Sequence, residues 1–597
     1  MRLWRLLDRQ DRRRVLWILP LLLLTAFVEV AGVAAVVPFL ALLADPASVY
    51  GMPFVGPMFA ASDMADPTVL LRWTGVVLAG VLLLANALVI VTFWWLYRFS
   101  WSLNHRLSSR LLGHYLAQPY VFMLTRNTAA LANKVIVEVR HLVESGFQSG
   151  LEILTRSVVI VAIVGFLVVL DPVLAIIVFT VLGTTFGAIF AASRRYLQRV
   201  GAEVVVMGAA RLKALNEALG GFKDLKVTGR EAFAHLQYDR PSRRYGEIQA
   251  AQNAIVRLPR YALEAVAVGG MVLIASLLSG RDDALTTTLP LLGAYAFAGL
   301  RLMPAMQQLF TAIARVRFAT GSLDAVEGDF QAADAGEGAL QGLPEALPFE
   351  RSITLRDVRF RYPEGDEPVL DGVTLEIPRH RSIALVGRTG SGKTTLVDLM
   401  LGLLTPDAGT VEVDGVPVTV GQRRSYRRLF GYVPQTVYLL DDTVARNIAL
   451  GLPDEDIDMD AVRRACVLAQ IADFVDRELP NGYQTVVGER GVRLSGGQRQ
   501  RIGIARALYH RPPVLVFDEA TSALDMHTER QLFDALEAIA RSHTVVTIAH
   551  RLETVAKSDV VVVLDRGRVV DRGSPEEVLK RYRLADVAGP ATVAGSV

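Results

Sequence analysis

The feature that most constrains this chain is a change of character between about residues 320 and 350. Ahead of it lie six apolar runs, at about 15–44, 73–97, 157–170, 173–192, 261–278 and 289–314; after it the sequence reads as a soluble α/β domain. A membrane-spanning helix needs about 20 predominantly apolar residues. A single run could be a buried helix of a soluble domain, but six in one half of a chain predict a multi-pass helical membrane domain. Composition agrees, with 52% hydrophobic and 21% charged residues and a mean hydropathy of +0.34, which excludes disorder. Basic and acidic residues number 63 and 60, so net charge gives no footprint for nucleic acid, and none is expected as a partner. The lone Cys466 excludes an intrachain disulfide or a cysteine-built zinc site and reads as a small buried hydrophobe.

The basic residues predict an orientation. Arg2, Arg5, Arg9, Arg12, Arg13 and Arg14 precede the first run, segments 98–156 and 194–260 are rich in Arg and Lys, and 45–71 has neither. By the positive-inside bias both termini and the second half lie in the cytoplasm, in a multi-pass protein of the cytoplasmic (inner) membrane. The first run is far longer than the roughly 7–15-residue core of a signal peptide. Residues 98–118 and 194–219 mix apolar and charged residues at helical spacing, so membrane helices are expected to continue into the cytoplasm. Each pair turns near a breaker, Pro119 or Gly220-Gly221 and Gly229, where a short helix could touch a cytoplasmic partner. The expected organisation is a transmembrane domain over 1–327, a linker over 328–349 rich in Gly, Ala, Glu and Pro, a nucleotide-binding domain over 350–585 and a tail over 586–597.

The second half carries chemistry. The apolar strand Ile383–Val386 runs into Gly387-Arg388-Thr389-Gly390-Ser391-Gly392-Lys393-Thr394, followed by Thr395 in an apolar helix. Strand, GxxxxGK[ST] and helix are the context of a phosphate-binding loop, whose glycines let backbone N–H groups face an anion. Lys393 would reach the β- and γ-phosphates and Thr394 would offer its hydroxyl to Mg²⁺. A second apolar strand, Val514–Phe517, ends in Asp518 and Glu519. Asp518 suits Mg²⁺ and Glu519 suits a general base toward water. Between them stands Leu494-Ser495-Gly496-Gly497-Gln498, before a basic helix.

The phosphate loop, the paired acids and LSGGQ together resemble the ATP-binding-cassette family over the whole chain. That resemblance implies binding and hydrolysis of ATP with Mg²⁺. It implies an adenine-stacking role for Tyr362, Mg²⁺ sensing for Gln435, and a dimer-spanning loop at Ser522–Asp525. It also implies a γ-phosphate switch at His550, and exporter-type contact to the membrane domain at Gly488–Gly491. Ser495, Gly496, Gly497 and Gln498 would bind the γ-phosphate held by an opposite subunit, so the working unit is expected to be a dimer. All motifs are intact, which favours a homodimer. Six helices fused ahead of the ATPase resemble the exporter branch of type IV fold.

Ionisable residues inside membrane helices cost about 2.5–3.5 kcal/mol on insertion scales and are candidates for function. Glu29, Glu264 and Arg301 fall at similar expected depth, with Arg260 one turn further in. Two readings stand: an ion-pair set that fixes packing, or a cavity for an anionic head group. The segments Phe27–Glu29, Val37–Phe39, Ala44–Pro46, Pro259–Glu264 and Arg301–Pro304 resemble PglK-type flippases. That implies a polyprenyl-diphosphate-linked oligosaccharide as substrate, with Arg260 and Arg301 facing its pyrophosphate. The alternatives are a multidrug or lipid A-like exporter of the same fold and, remotely, a cassette ATPase that transports nothing.

Overall fold

The computed structural model describes residues 2–35, 39, 67–278, 284–335, 344–363, 365–488, 491–518, 543–549 and 552–582. The chain divides into two compact units. The first comprises Met1–Gln118 and Arg126–Leu340; the second comprises Pro119–Thr125 and Gln341–Val597.

The first unit is helical. Its longer helices are α1 (Arg9–Ala34), α2 (Pro67–Ala117), α3 (Ser149–Leu170), α4 (Pro172–Gly220), α5 (Glu231–Leu278), α6 (Ala284–Phe318) and α7 (Thr320–Ala335). Among the described residues, four stretches are long and apolar enough to cross a membrane: Arg9–Gly32, Leu71–Ala117, Thr128–Val169 and Pro172–Ser193. The fifth and sixth expected spans fall within α5 and α6. Helix α2 runs unbroken for 51 residues, about 77 Å at the α-helical rise, so one element serves both the second apolar run and the mixed segment behind it. Asp171 makes the tight turn from α3 to α4: it caps α4 by accepting from the Val173 and Leu174 N–H groups, each at 3.0 Å, with Pro172 in the first turn where its missing N–H costs nothing. The helices meet around Ala26, Val159, Ile163, Ala175, Leu263, Ala298 and Leu302. At the start of α7 two glycines let backbones cross closely. A Cβ on Gly201 would stand 2.4 Å from the Phe318 carbonyl oxygen, and one on Gly321 would stand 2.7 Å from that of Gly201. Helix α7 reaches into the segment expected as a linker and ends only at Ala335.

Helices α1 and α2 run antiparallel in one register. The Thr25 and Thr92 hydroxyls hydrogen-bond at 2.7 Å, Arg106 pairs with Asp11 at 2.5 Å, and Arg110 pairs with Asp8 at 3.3 Å. Polar partners therefore recur along the seam from its apolar part to its arginine-rich end.

The second unit has two sheets. One is antiparallel, in the order β2 (Leu370–Pro378), β1 (Ser352–Phe360), β4 (Ala408–Val413), β5 (Val416–Pro417). The other has the order β10 (Arg568–Gly573), β9 (Val560–Asp565), β3 (Ser382–Val386), β8 (Thr544–Ile548), β7 (Val514–Asp518), β6 (Phe430–Val433). Strands β9, β3, β8, β7 and β6 are parallel. Every residue of β7 is buried, as a parallel strand covered on both faces requires. Helix α8 (Lys393–Met400) packs with both sheets in one core that includes Val373, Leu385, Leu396 and Val516. A second core gathers α9 (Met459–Leu468) and α10 (Gly496–Tyr509). Cys466 lies fully buried there, its thiol pushed up to about 12 mainly by burial. Val121, from the short helix Tyr120–Leu124 that belongs to this unit, packs on the first of these cores.

Candidate functional site

Strands β3, β8 and β7 are neighbours, and their carboxyl ends share one edge of the sheet, where ligands of open α/β sheets bind. The loop Gly387–Thr394 leaves β3 at that edge. Three of its glycines are required by geometry: Gly390 and Gly392 have φ of +82° and +100°, and a Cβ on Gly387 would lie 2.2 Å from the Leu564 carbonyl oxygen. Arg388, Thr389 and Gly390 are exposed at the tip. Lys393 is buried and donates to the Gly387 and Arg388 carbonyls at 2.7 and 3.0 Å, so its ammonium rests in the loop's mouth. Helix α8 begins at Lys393 without a side-chain cap, which leaves its first N–H groups for an anion. The Ser391 hydroxyl is buried without a hydrogen-bond partner, an orphan that a phosphate oxygen would satisfy.

Gly387→Ala is expected to fail at this joint. The new methyl meets backbone rather than a yielding side chain, so β3 and β9 must part. A loss of about 1–3 kcal/mol is the usual cost of such overpacking, and nucleotide affinity should fall with it. Thermal melting and equilibrium nucleotide binding check this; an unchanged melting temperature would show that the close approach is not real.

Asp518 is buried and accepts from the Tyr432 hydroxyl at 3.2 Å. Asp398, on α8, is pushed up to about 6, first by burial and then by the Asp518 charge. Two carboxylates thus stand close enough to feel each other's charge, a setting that favours a cation. Thr394 is exposed beside it at the start of α8. Its hydroxyl and the Asp518 carboxylate are hard oxygen donors of the kind Mg²⁺ takes, together with phosphates and water. Gln435 follows β6, one strand away from β7, and is exposed. Tyr362 follows β1, stacks edge-to-face on Phe360 at 5.0 Å and shares a 3.2 Å hydrogen bond with Thr395, so the expected adenine-stacking residue is at the phosphate loop. Ser495 caps α10 reciprocally with Gln498: its N–H donates to the Gln498 Oε1 at 2.7 Å, and its hydroxyl accepts from the Gln498 N–H at 3.2 Å. Gly496 and Gly497 form the first turn. Glu519, Ser522–Asp525, His550, Glu489 and Arg490 lie outside the described residues.

In the helical unit the four expected charges do not come together. Glu29 pairs with Arg156 at 3.1 Å, the two side chains only 10% and 11% exposed. Thr25, Thr92, Thr155 and Glu152 surround the pair. Arg260 is exposed, its guanidinium 6.0 Å from the Tyr261 ring; Glu264 is exposed and Arg301 half-buried. Among the described residues, none of these three forms an ion pair. Arg156 is missed by the sequence reading because it stands one residue before the third apolar run. Its signal was available: an arginine at helical spacing from Glu152, at the mouth of a span. Val37, Pro38 and Ala44–Pro46 lie outside the described residues. A polar cavity of about 330 Å³, also unforeseen, is lined by Arg140, His141, Glu144, Gln249, Gln252 and Arg315 among others.

Fold and site together define a nucleotide-hydrolysing α/β domain fused behind a helical membrane domain. Residues 35–280 match the family described as the ABC transporter transmembrane region, and 370–522 match the ABC transporter family. A protein of Thiobacillus denitrificans named "ATP-dependent lipid A-core flippase" is 32% identical over 533 residues, covering 88% of this chain and 90% of its own. One of the same name from Cupriavidus pinatubonensis is 35% identical over 459 residues, with 76% of each chain covered. A solved bacterial Atm1-family ABC exporter with ATP bound superimposes with a TM-score of 0.75 at 25% identity, covering 97% of this chain and 98% of that one. The chain belongs to the ABC transporter family and is of the exporter kind: a membrane protein that hydrolyses ATP to drive translocation.

Proposed function

We propose that this exporter moves a phosphorylated, sugar-bearing lipid across the cytoplasmic membrane, its ATPase domain on the cytoplasmic side. The observation that carries the reading is the set of charges kept in otherwise apolar helices, above all Arg301, half-buried on α6 without an ion-pair partner among the described residues. A drug site of broad specificity would rest on aromatic and apolar contacts instead. An arginine fork suits phosphate and stays charged at every relevant pH. The polar cavity offers amide and guanidinium donors suited to sugar hydroxyls and further phosphate. A polyprenyl-diphosphate oligosaccharide and a lipid A-core glycolipid both have this chemistry. The names of the relatives weigh toward the second.

In this reading Lys393, the loop N–H groups and Ser391 hold the ATP phosphates, Tyr362 takes the adenine, and Thr394, Gln435 and Asp518 hold Mg²⁺. The ion supplies charge neutralisation on the β- and γ-oxygens. Glu519 orients water, His550 steadies the γ-phosphate, and Ser495 with Gly496, Gly497 and Gln498 closes the site from a second copy, with Asp525 at the seam. The short helix Phe222–Thr228 leaves Phe222 and Val227 exposed, an apolar contact for that copy.

The test is reconstitution in liposomes. Lipid A-core glycolipid and polyprenyl-diphosphate sugar are compared with a drug panel for ATPase stimulation and flipping. Arg301→Ala is expected to keep basal ATP hydrolysis within about twofold and to lose most flipping, since one charged hydrogen-bonded contact carries about 1.5–3 kcal/mol. Stimulation by drugs but by neither glycolipid would overturn the reading.

A further inference from the structure

A second concave surface of the helical unit lies between its first two long helices. Between α1 and α2 lies a cavity of about 510 Å³. Its walls are two helical stripes, Arg14, Trp17 and Leu21 on α1 and Trp95, Arg98 and Ser102 on α2, with Ile18 and Phe99 between them. Spacings of three and four residues keep each stripe on one helix face. The antiparallel register that pairs Thr25 with Thr92 and Asp11 with Arg106 sets Arg14 near the level of Ser102, Ile18 near Phe99 and Leu21 near Trp95, so Arg98 lies about 7.5 Å closer to the apolar run than Arg14. On both helices the tryptophan stands one turn, about 4.5 Å, closer to the apolar run than its arginine. The cavity therefore has one cation at its rim, Arg14, and a second, Arg98, deeper between the levels of Trp17 and Trp95, with Ile18, Leu21 and Phe99 as apolar wall.

Both arginines are available. Arg14 is half-exposed, and its neighbour Asp11, at 3.8 Å, is engaged more closely by Arg106 at 2.5 Å. Arg98 is exposed and forms no ion pair among the described residues; it lies 5.3 Å from the Trp94 ring centroid. Trp17 is 82% and Trp95 49% exposed. Tryptophan favours the interface between lipid tails and water, and basic pockets between membrane helices favour anionic head groups.

We propose that this groove between α1 and α2 is a binding site for an anionic phospholipid of the surrounding bilayer, with Arg14 and Arg98 holding the anionic head group from two depths, and Trp17, Trp95, Ile18, Leu21 and Phe99 against its glycerol and the first part of its acyl chains. The occupant follows from charge complementarity at the two arginines and from the tryptophan and aliphatic wall between and beneath them, which matches an amphiphile rather than a free anion. The site stands apart from Arg260 and Arg301 and does not rest on the identity of the transported lipid.

Native mass spectrometry of the purified full-length protein, titrated with phosphatidylglycerol or phosphatidylcholine, tests it. The wild type is expected to retain one phosphatidylglycerol per chain in preference to phosphatidylcholine. Arg14→Gln with Arg98→Gln should weaken that binding roughly 25-fold, about fivefold for each charge removed near the surface. Arg14→Lys with Arg98→Lys keeps the charge and should restore it to within a few fold. Basal ATPase, unchanged in both variants, serves as the folding check. Excess inorganic phosphate should not displace the lipid. Four results overturn the proposal: equal retention of the two lipids, a glutamine pair that binds like wild type, displacement by phosphate alone, or disulfide cross-linking of two copies through Trp17→Cys or Trp95→Cys, which would make this face a protein interface.

Discussion

Glu519→Gln is expected to lower ATP turnover about 10²–10⁴-fold, the usual contribution of a general base, while nucleotide still binds with near-normal affinity. The separation follows from where the parts sit. In the proposed site binding rests on the loop after β3, with Lys393 held at the Gly387 and Arg388 carbonyls, whereas Glu519 follows the buried strand β7 directly after Asp518. Asp398 and Asp518 already crowd negative charge beside the loop, so removing one further carboxylate should, if anything, favour the bound polyphosphate. Lys393→Ala differs in kind, because it removes the cation proposed to meet the β- and γ-phosphates and should cost affinity as well as turnover. Steady-state hydrolysis and equilibrium binding on the same preparations check both. Near-normal turnover by the glutamine variant would move the general base elsewhere.

The ATPase domain is legible in the sequence because its chemistry is local. A phosphate loop must follow a strand and open a helix, so the positions of Gly387–Thr395 could be read from nine consecutive residues. Asp518 could likewise be read from the apolar strand before it. The same locality explains Ser495, whose capping box with Gln498 spans four residues. The surroundings of these residues were less legible. Asp398 reads as an ordinary helix position, and only the packing of α8 brings it within reach of the Asp518 charge. In the helical unit, apolar runs predict that helices exist but not which faces meet. Glu29, Glu264, Arg260 and Arg301 share a depth in sequence arithmetic, yet depth is one coordinate of three. Glu29 turns toward α3 and pairs with Arg156, and the register of α1 on α2, fixed by Thr25 with Thr92 and Asp11 with Arg106, decides that direction. The same register forms the groove lined by Arg14 and Arg98, which no single segment announces.

The Glu29–Arg156 pair yields the other large effect. Both side chains are nearly nine-tenths buried, at 3.1 Å, among three threonine hydroxyls. Arg156→Leu strands a carboxylate in that setting, and Glu29→Leu strands a guanidinium. Breaking a buried pair from one side typically costs about 3–5 kcal/mol, so either single variant should express poorly or melt well below wild type. Glu29→Leu with Arg156→Leu removes both charges, and apolar replacement of a buried pair is often neutral or stabilising by about 1–4 kcal/mol. The double variant should therefore recover folding, measured as melting temperature and monodisperse yield in detergent. Its transport then separates two roles. If the pair only joins α1 to α3, the double variant flips substrate like wild type. If the pair exchanges partners during the cycle, with Glu152 on the same side as a second carboxylate for Arg156, the double variant folds and hydrolyses ATP at the basal rate but transports poorly. A single Arg156→Leu protein that melts like wild type would show that no buried charge was stranded and that the pair does not form.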